Sequence, residues 1–274
     1  TRHDPNYYLE KKIYTACISL GLDEWITSDL ISPKLATVNQ EVSLRKKDLL
    51  QVLHAKSEDY SFLRASMLPS FLEIIQHNTR LGQVNFHSFE LAKSYSWQES
   101  MPEEHSVVAL SLAGSQTPTS WQKEEKEHHF FSMKGVVENI KRRLSIKNTT
   151  FAPSHHPSFH PYRQADIFVA HCDIGSLGEV HPELLEQFGI KQKVFFAEIH
   201  LTGLCPKQLH ASKVAELPLY PSSFRDWTIC VDADFPYQLL EAMFQGLNCS
   251  ILETVALTAV FSPPEDATKK HLTC

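Results

Sequence analysis

The sequence predicts an α+β protein with a mainly antiparallel sheet, divided into two units. Strand candidates are joined by hairpin-length connections more often than by helical crossovers, which favours antiparallel pairing. A stretch from Gly203 to Pro218, carrying Pro206, Lys207 and Gln208, interrupts the periodic segments and reads as a linker. Beyond it a new strand, helix, strand, strand order begins. The expected division is therefore residues 1–203, a linker over 204–217, and residues 218–274.

The first helix spans about Pro5 to Leu20, with Pro near its start and Gly21 as its stop. At about 100° per residue, Leu9, Ile13, Ala16, Cys17 and Leu20 form one apolar stripe, while Tyr7, Tyr14 and Ile18 form a second on a different side. One stripe is enough to cover a domain. The second implies burial against another helix or subunit, or a helix sandwiched inside one domain. Strand patterns follow at Trp25 to Ile31 and at Asp48 to His54, before the Lys56-Ser57-Glu58-Asp59 turn. Pro69 fits the first turn of a helix in which Leu68, Phe71, Leu72 and Ile75 share a face and which ends before Gly82.

Strands are expected around Val84 to Leu91 and Val107 to Leu112. A polar patch, Ser115 to His129, leads to a helix from about Met133 to Leu144, and a His- and Pro-rich loop runs from Ala152 to Tyr162. Ala165 to His171 and Ile174 to Val180 read as strands joined by a Cys172-Asp173 turn. Pro182 opens a helix closed by Gly189, and Val194 to Leu201 is a strand. Past the linker come a strand from Phe224 to Val231, a helix from Phe235 to Leu247 with Leu239, Leu240, Met243 and Leu247 inward, a strand from Ser250 to Phe261 and another starting at Lys270. This order opens a ferredoxin-like βαββαβ unit. The sequence reaches Cys274 before a second helix and last strand, so the unit is expected to be partial, with an exposed edge.

Composition bounds the function. With 42% hydrophobic and 21% charged residues, and no apolar run near the ~18–20 residues that span a bilayer, no membrane span is expected. The start, Thr1-Arg2-His3-Asp4-Pro5, is not a secretory signal, and the lack of an initiator Met points to an excised segment. Six scattered cysteines (17, 172, 205, 230, 249, 274) without a C-x-x-C pair fit a reducing cytoplasm. A net charge of −6 argues against a simple electrostatic nucleic-acid binder, so no DNA partner is expected and any RNA contact would be local or shared with another chain.

No complete catalytic constellation emerges. Fifteen histidines, especially His155, His156 and His160, invite a stand-alone metal-dependent hydrolase as the alternative reading, yet neither H-E-x-x-H nor paired C-x-x-C is present and no metal ligand is assigned. No G-x-S-x-G elbow exists; Ser66 and Cys172 are the best of a weak set of nucleophiles. The nine glycines never form G-x-G or a P-loop, and Gly175 and Gly178 fit a hairpin. Arg64 and Arg163 could clamp a carboxylate or phosphate, with structural ion pairing the preferred role for each. Lys141-Arg142-Arg143 complements the dipole at the end of its helix and reads as a solvated face.

Six stretches in order resemble the carboxy-terminal part of the beta subunit of bacterial phenylalanyl-tRNA synthetase. They are Ser57-Glu58-Asp59-Tyr60-Ser61-Phe62-Leu63-Arg64-Ala65-Ser66-Met67-Leu68-Pro69, Phe89-Glu90-Leu91 and Phe130-Phe131-Ser132-Met133-Lys134-Gly135. Phe159-His160-Pro161-Tyr162-Arg163-Gln164-Ala165, Ile174-Gly175-Ser176-Leu177-Gly178-Glu179-Val180-His181-Pro182 and Tyr220-Pro221-Ser222-Ser223-Phe224-Arg225-Asp226 complete the set. The resemblance implies a catalytic-like class II aminoacyl-tRNA synthetase core with an antiparallel sheet, followed by a partial ferredoxin-like anticodon-binding domain. It implies a subunit without catalytic residues of its own, cytoplasmic, assembled with the catalytic alpha subunit as an (αβ)₂ heterotetramer that uses ATP and magnesium to charge tRNA(Phe). No cofactor is expected in this chain itself. Tyr7, Tyr14 and Ile18 then become the subunit-interface residues, on a helix in the place of the class II dimer helix.

Phe261 stands where the family pattern has an aromatic residue that stacks on an anticodon base, though it lacks the usual tyrosine hydroxyl, and its phase with Val255, Leu257 and Ala259 equally permits burial in the core. Arg225, Lys269 and Lys270 complete the expected tRNA-binding set. Two departures mark a diverged member: Tyr162 replaces the glycine usual after His-Pro, and Ser176 occupies an often aromatic position.

Overall fold

A computed structural model describes residues 5–42, 49–98, 101–117, 120–122, 124, 126–146, 148–204, 220–247, 249 and 251–274. The chain forms two compact units, Thr1–Ser212 and Lys213–Cys274, each described by itself below. The linker expected over 204–217 lies almost wholly outside the described residues.

Unit 1 is built on a seven-stranded sheet. Its strands are β1 (Asp23–Glu24), β4 (Phe86–Gln98), β5 (Met101–Ala113), β8 (Thr149–Pro153), β9 (Phe159–Val169), β10 (Cys172–Val180) and β11 (Val194–His200), in the order β1-β4-β5-β11-β10-β9-β8. Short pairs β2 (Leu30–Ile31) with β3 (Phe62–Leu63), and β6 (Ser115–Thr117) with β7 (Lys126–Glu127), stand apart. Every pairing in the large sheet is antiparallel except β1 with β4, as the hairpin-length connections predict.

Both faces of the sheet are covered, because its strands alternate apolar residues on two sides. On one face Val108, Leu110, Phe195, Ala197, Ile167 and Val169 pack with helices α1 (Pro5–Ser19) and α4 (Phe130–Arg143). On the other, Val107, Ala109, Val194, Phe196 and Val180 pack with α2 (Pro33–Val42), α3 (Leu68–Arg80) and α5 (Pro182–Gln187). The predicted stripe of α1 is buried at Leu9, Ile13, Ala16 and Cys17, and burial pushes the Cys17 thiol up to about 12. Gly21, at φ 78°, supplies the left-handed residue that ends the helix. In α3, Leu68, Phe71, Leu72 and Ile75 are buried on one face as the spacing requires. His129 caps α4 by accepting the Ser132 N–H, and His181 caps α5 by accepting that of Glu183.

Several expectations need correction. Trp25 to Ile31 is not one strand: residues 25–28 are irregular, because after the Trp25 N–H donates to the Phe89 carbonyl of β4 at 2.8 Å the backbone turns to side chains. The Thr27 N–H donates to Glu90 Oε1 at 3.0 Å, and the Ser28 carbonyl accepts from Arg64 at 3.1 Å. The described part of Asp48 to His54 makes only an isolated bridge, Gln51 to Phe62. Helix α2 was not anticipated. The His- and Pro-rich loop shrinks to residues 154–158, since β8 and β9 take its two ends. The β9–β10 turn is Ala170-His171, both at positive φ (49° and 70°), and not Cys172-Asp173.

Unit 2 contains β12 (Thr228–Asp232), α6 (Tyr237–Gly246), β13 (Ala259–Phe261) and β14 (Lys269–Thr273). The sheet order is β12-β14-β13, with β14 antiparallel to both neighbours, so α6 is the crossover of a split β-α-β. Only residues 259–261 of the expected Ser250–Phe261 strand are extended in the ladder. Of the four residues expected inward, Leu240 is buried, while Leu239 and Met243 of α6 and Leu247 just past its end are more than half exposed.

Candidate functional site

On the α3-bearing face of the large sheet, the polar groups are tied to one another. Arg64, 1% exposed, enters from the segment before α3. Its Nε donates to the Lys93 carbonyl at 2.8 Å, one terminal nitrogen donates to the Ser28 carbonyl and the Thr27 hydroxyl, and the other donates to Asp29 Oδ1 at 2.6 Å. The buried Glu90 carboxylate lies 3.7 Å from the same guanidinium. Burial raises the Glu90 carboxyl above its usual range, against the opposing pull of Thr27 and Arg64. Nearby, Glu198 accepts from the Ser66 hydroxyl at 2.8 Å and the Met67 N–H at 2.9 Å. Ser66 thus donates its hydroxyl to a carboxylate at the start of α3.

Arg163 is equally engaged. Its Nε and a terminal nitrogen donate to the two oxygens of the buried Glu179, at 2.5 and 3.0 Å. Residues 160–163 bulge out of β9 opposite Glu179 alone, so this pair closes the base of the bulge while Tyr162 projects at 91% exposure. Both arginines that could have clamped a phosphate thus hold carboxylates. The histidines offer no metal centre among the described residues. His155 is exposed, while His156 is buried, its Nδ1 accepting the Ser158 N–H and its ring 5.0 Å from Phe159. His160 Nδ1 accepts the Tyr162 N–H. A different pair went unnoticed in the sequence: His87 and His128 meet Nε2 to Nε2 at 2.7 Å, and burial with the neighbouring His87 and His129 pushes His128 down to about 4. Residues 41 apart in sequence give no spacing signal.

Two surfaces remain open. On α1, Tyr7, Tyr14 and Ile18 are 46, 40 and 46% exposed, so the second stripe is not sandwiched inside unit 1. Tyr14 also touches Phe89 edge-on. In unit 2, cross-strand register places Phe261, His271, Cys230 and Lys269 on one face of the sheet, and Ile229, Val231 and Leu272 on the other. Leu272 and Leu240 are buried, so the Leu272 face is the covered one. Phe261 is 56% exposed and lies outside the core, its ring 6.0 Å from that of His271.

The expected RNA set is therefore divided. Lys269 shares the Phe261 face but holds Asp232 at 2.5 Å, whereas Lys270 belongs to the Leu272 face and donates to the Ala233 carbonyl. Arg225 is exposed, ahead of β12.

Residues 1–201 match the family model described as the phenylalanyl tRNA synthetase beta chain CLM domain. The chain belongs to that family. Among its relatives, the phenylalanine–tRNA ligase beta subunit of Protochlamydia amoebophila is 32% identical over 94% of this chain and 32% of its own length. Those of Chlamydia caviae and Symbiobacterium thermophilum are each 30% identical, over 97% and 90% of this chain. The chain spans about a third of the length of these relatives. In fold, it is similar to the pyrrolysyl tRNA synthetase PylSc of Desulfitobacterium hafniense, with a TM-score of 0.56 at 15% identity over 74% of this chain and 68% of that one. The architecture is that of a class II synthetase, and the family places it in a beta subunit.

Proposed function

We propose that this chain is a non-catalytic part of a phenylalanine–tRNA ligase, lending a class II fold to assembly and tRNA placement while an alpha subunit performs the ATP- and magnesium-dependent reaction. The observation that carries this is Arg64. A buried arginine with every edge of its guanidinium occupied stabilises a fold and leaves nothing with which to bind a reacting phosphate. No helix among the described residues is long and apolar enough to cross a membrane, and we place the chain in the cytoplasm with the translation apparatus.

The alpha subunit docks on the second stripe of α1, where Tyr7, Tyr14 and Ile18 give an aromatic and aliphatic surface of the kind enriched at interface centres. tRNA(Phe) meets the uncovered sheet face of unit 2. There Phe261 offers a ring for stacking beside His271, with Lys269 on the same face; Arg225 ahead of β12 and Lys270 on the Leu272 face are the remaining cations of the set. The division into residues 1–203 and 218–274 matches two tasks, assembly and RNA contact.

Co-purification with the alpha subunit tests the docking. Replacing Tyr14 and Ile18 with Asp should abolish it while thermal unfolding of the chain stays within about 1 kcal/mol, as surface changes usually do. Assembly that survives both charges would remove α1 from the interface.

A further inference from the structure

The end of α4 and the connection to β8 form a basic corner on a chain of net charge −6. Between Glu138 and Asp166 the sequence has no acidic residue and five basic ones. Lys141, Arg142 and Arg143 close α4, and none of them has a carboxylate partner among the described residues; Arg142 bonds only the Asn139 side chain. The helix dipole accounts for cations in the last turn. It does not account for the lack of acids over the strand and loop that follow.

Glu138, one turn earlier on α4, is the neighbouring carboxylate on the helix, and among the described residues no ion pair reaches Lys141, Arg142 or Arg143. Helix α4 packs on the Ile167 and Val169 side of the sheet, and Lys134 reaches over the Phe151 ring of edge strand β8 at 4.9 Å. The carboxylates closest along β9 and β10, Asp166 and Asp173, lie on the opposite side, in the phase of Phe168. Asp173 is further occupied by the Gly175 N–H at 3.0 Å. Lys134 is matched by Glu138 at 3.2 Å, which leaves the three cations at the helix end as the surplus.

The backbone of the corner is held in an unusual conformation. Ser145 and Asn148 have φ 55°, and Ala170 and His171 have φ 49° and 70°, with the Ala170 N–H donating to the Asn148 carbonyl at 3.0 Å. These are four of the five residues other than glycine with positive φ among the described residues. Neither Ala nor His favours the two-residue turn that it forms here. Left-handed backbone concentrated in one place is a feature of sites where the position of a turn matters to a ligand.

We propose that this corner is a second RNA contact, in which Lys141, Arg142 and Arg143 hold phosphates of the tRNA backbone next to the fixed Ala170-His171 turn. The contact rests on the tRNA-binding reading and adds to it a site on unit 1. Phosphate contacts of this kind position an RNA without reading its sequence, and each lowers the salt slope of binding when removed.

Fluorescence anisotropy of a labelled tRNA transcript, titrated with the chain at several salt concentrations, tests it. Changing Lys141, Arg142 and Arg143 together to Gln should weaken binding at least about tenfold at low salt and flatten the log–log salt slope by about 2. The charge-preserving set Lys141→Arg, Arg142→Lys, Arg143→Lys should keep the wild-type slope, which separates loss of charge from loss of fold. Phe261→Ala should weaken binding with the slope unchanged, so that the two contacts fail independently. An unchanged slope in the Gln variant overturns the corner while leaving the Phe261 reading intact. Absence of RNA binding by the wild-type chain overturns both. Binding of polyglutamate in place of RNA would assign the corner to an acidic protein and overturn the proposal.

Discussion

Replacing Arg64 with Met should destabilise unit 1 by about 3–5 kcal/mol, the range for breaking a buried ion pair from one side. The loss has identifiable parts. The Lys93 and Ser28 carbonyls lose their donor, and Glu90, buried and 3.7 Å from the guanidinium, keeps only its Thr27 bonds. Asp29, with its side chain 47% exposed, turns to water and adds little. In a unit of this size the change corresponds to a drop in Tm of about 10 °C.

The effect also has a pH signature. The folded Glu90 carboxyl titrates above its usual value, so its contribution to stability is full below that value and falls as pH rises through the folded one. Without Arg64 the folded value climbs further. The deficit of the Met variant should then be larger at pH 8 than at acidic pH, where Glu90 is protonated in both proteins. Differential scanning calorimetry across that range, with Arg64→Met/Glu90→Gln as the second variant, measures it. If the single variant loses less than about 1 kcal/mol, or if the double variant is no more stable than the single, the account of a carboxylate held in place by Arg64 is wrong.

Two further outcomes follow from the same core. His128, held down to about 4, binds its proton in the unfolded chain first, so stability should fall by up to about 3 kcal/mol as pH drops from about 6.5 to 4; urea unfolding should show that limb, and His128→Leu should remove it. Gly175, at φ 149°, places any Cβ 2.0 Å from the Glu198 carbonyl oxygen, so Gly175→Ala should cost at least about 2 kcal/mol by chemical denaturation, with a neutral result excluding the close approach of β10 and β11.

The parts of the fold legible in the sequence are those whose burial is written as periodicity. Helices α1 and α3 and strands β5 and β11 bury residues at the spacing their pattern announces. The outer half of the β4–β5 hairpin is different. There Ser94 and Ser96 are buried, Lys93 bonds Ser106 and Glu104, and Ser96 bonds His105, while the alternating aromatics Tyr95 and Trp97 are partly buried and exposed, so the buried side is held by polar pairs and the pattern points the wrong way. Helix α2 escaped because its apolar set, Leu35, Ala36 and Val38, is short and its Thr37 and Val38 are β-branched residues with weak helical preference. The turn at Ala170-His171 has no glycine or asparagine to mark it, while the neighbouring Asp173 gives a stronger but misplaced signal.

The candidate surfaces divide in the same way. The second stripe of α1 was readable as a surface, since periodicity distinguishes two sides of a helix. In unit 2 the α6 pattern was right about which residues align and wrong about burial, because Leu239, Met243 and Leu247 have no neighbour covering them among the described residues. The alignment of Phe261 with His271, ten residues on, depends on the register between β13 and β14, and register is fixed by pairing, which a linear pattern does not contain.

The central claim is that this fold has kept the class II architecture without its chemistry. Phenylalanine-dependent exchange of pyrophosphate into ATP measures the chemistry directly, for the chain alone and for the chain assembled with a catalytic alpha subunit. The account predicts no exchange above background by the chain alone and exchange only in the presence of the alpha subunit. Exchange by the chain alone would contradict it.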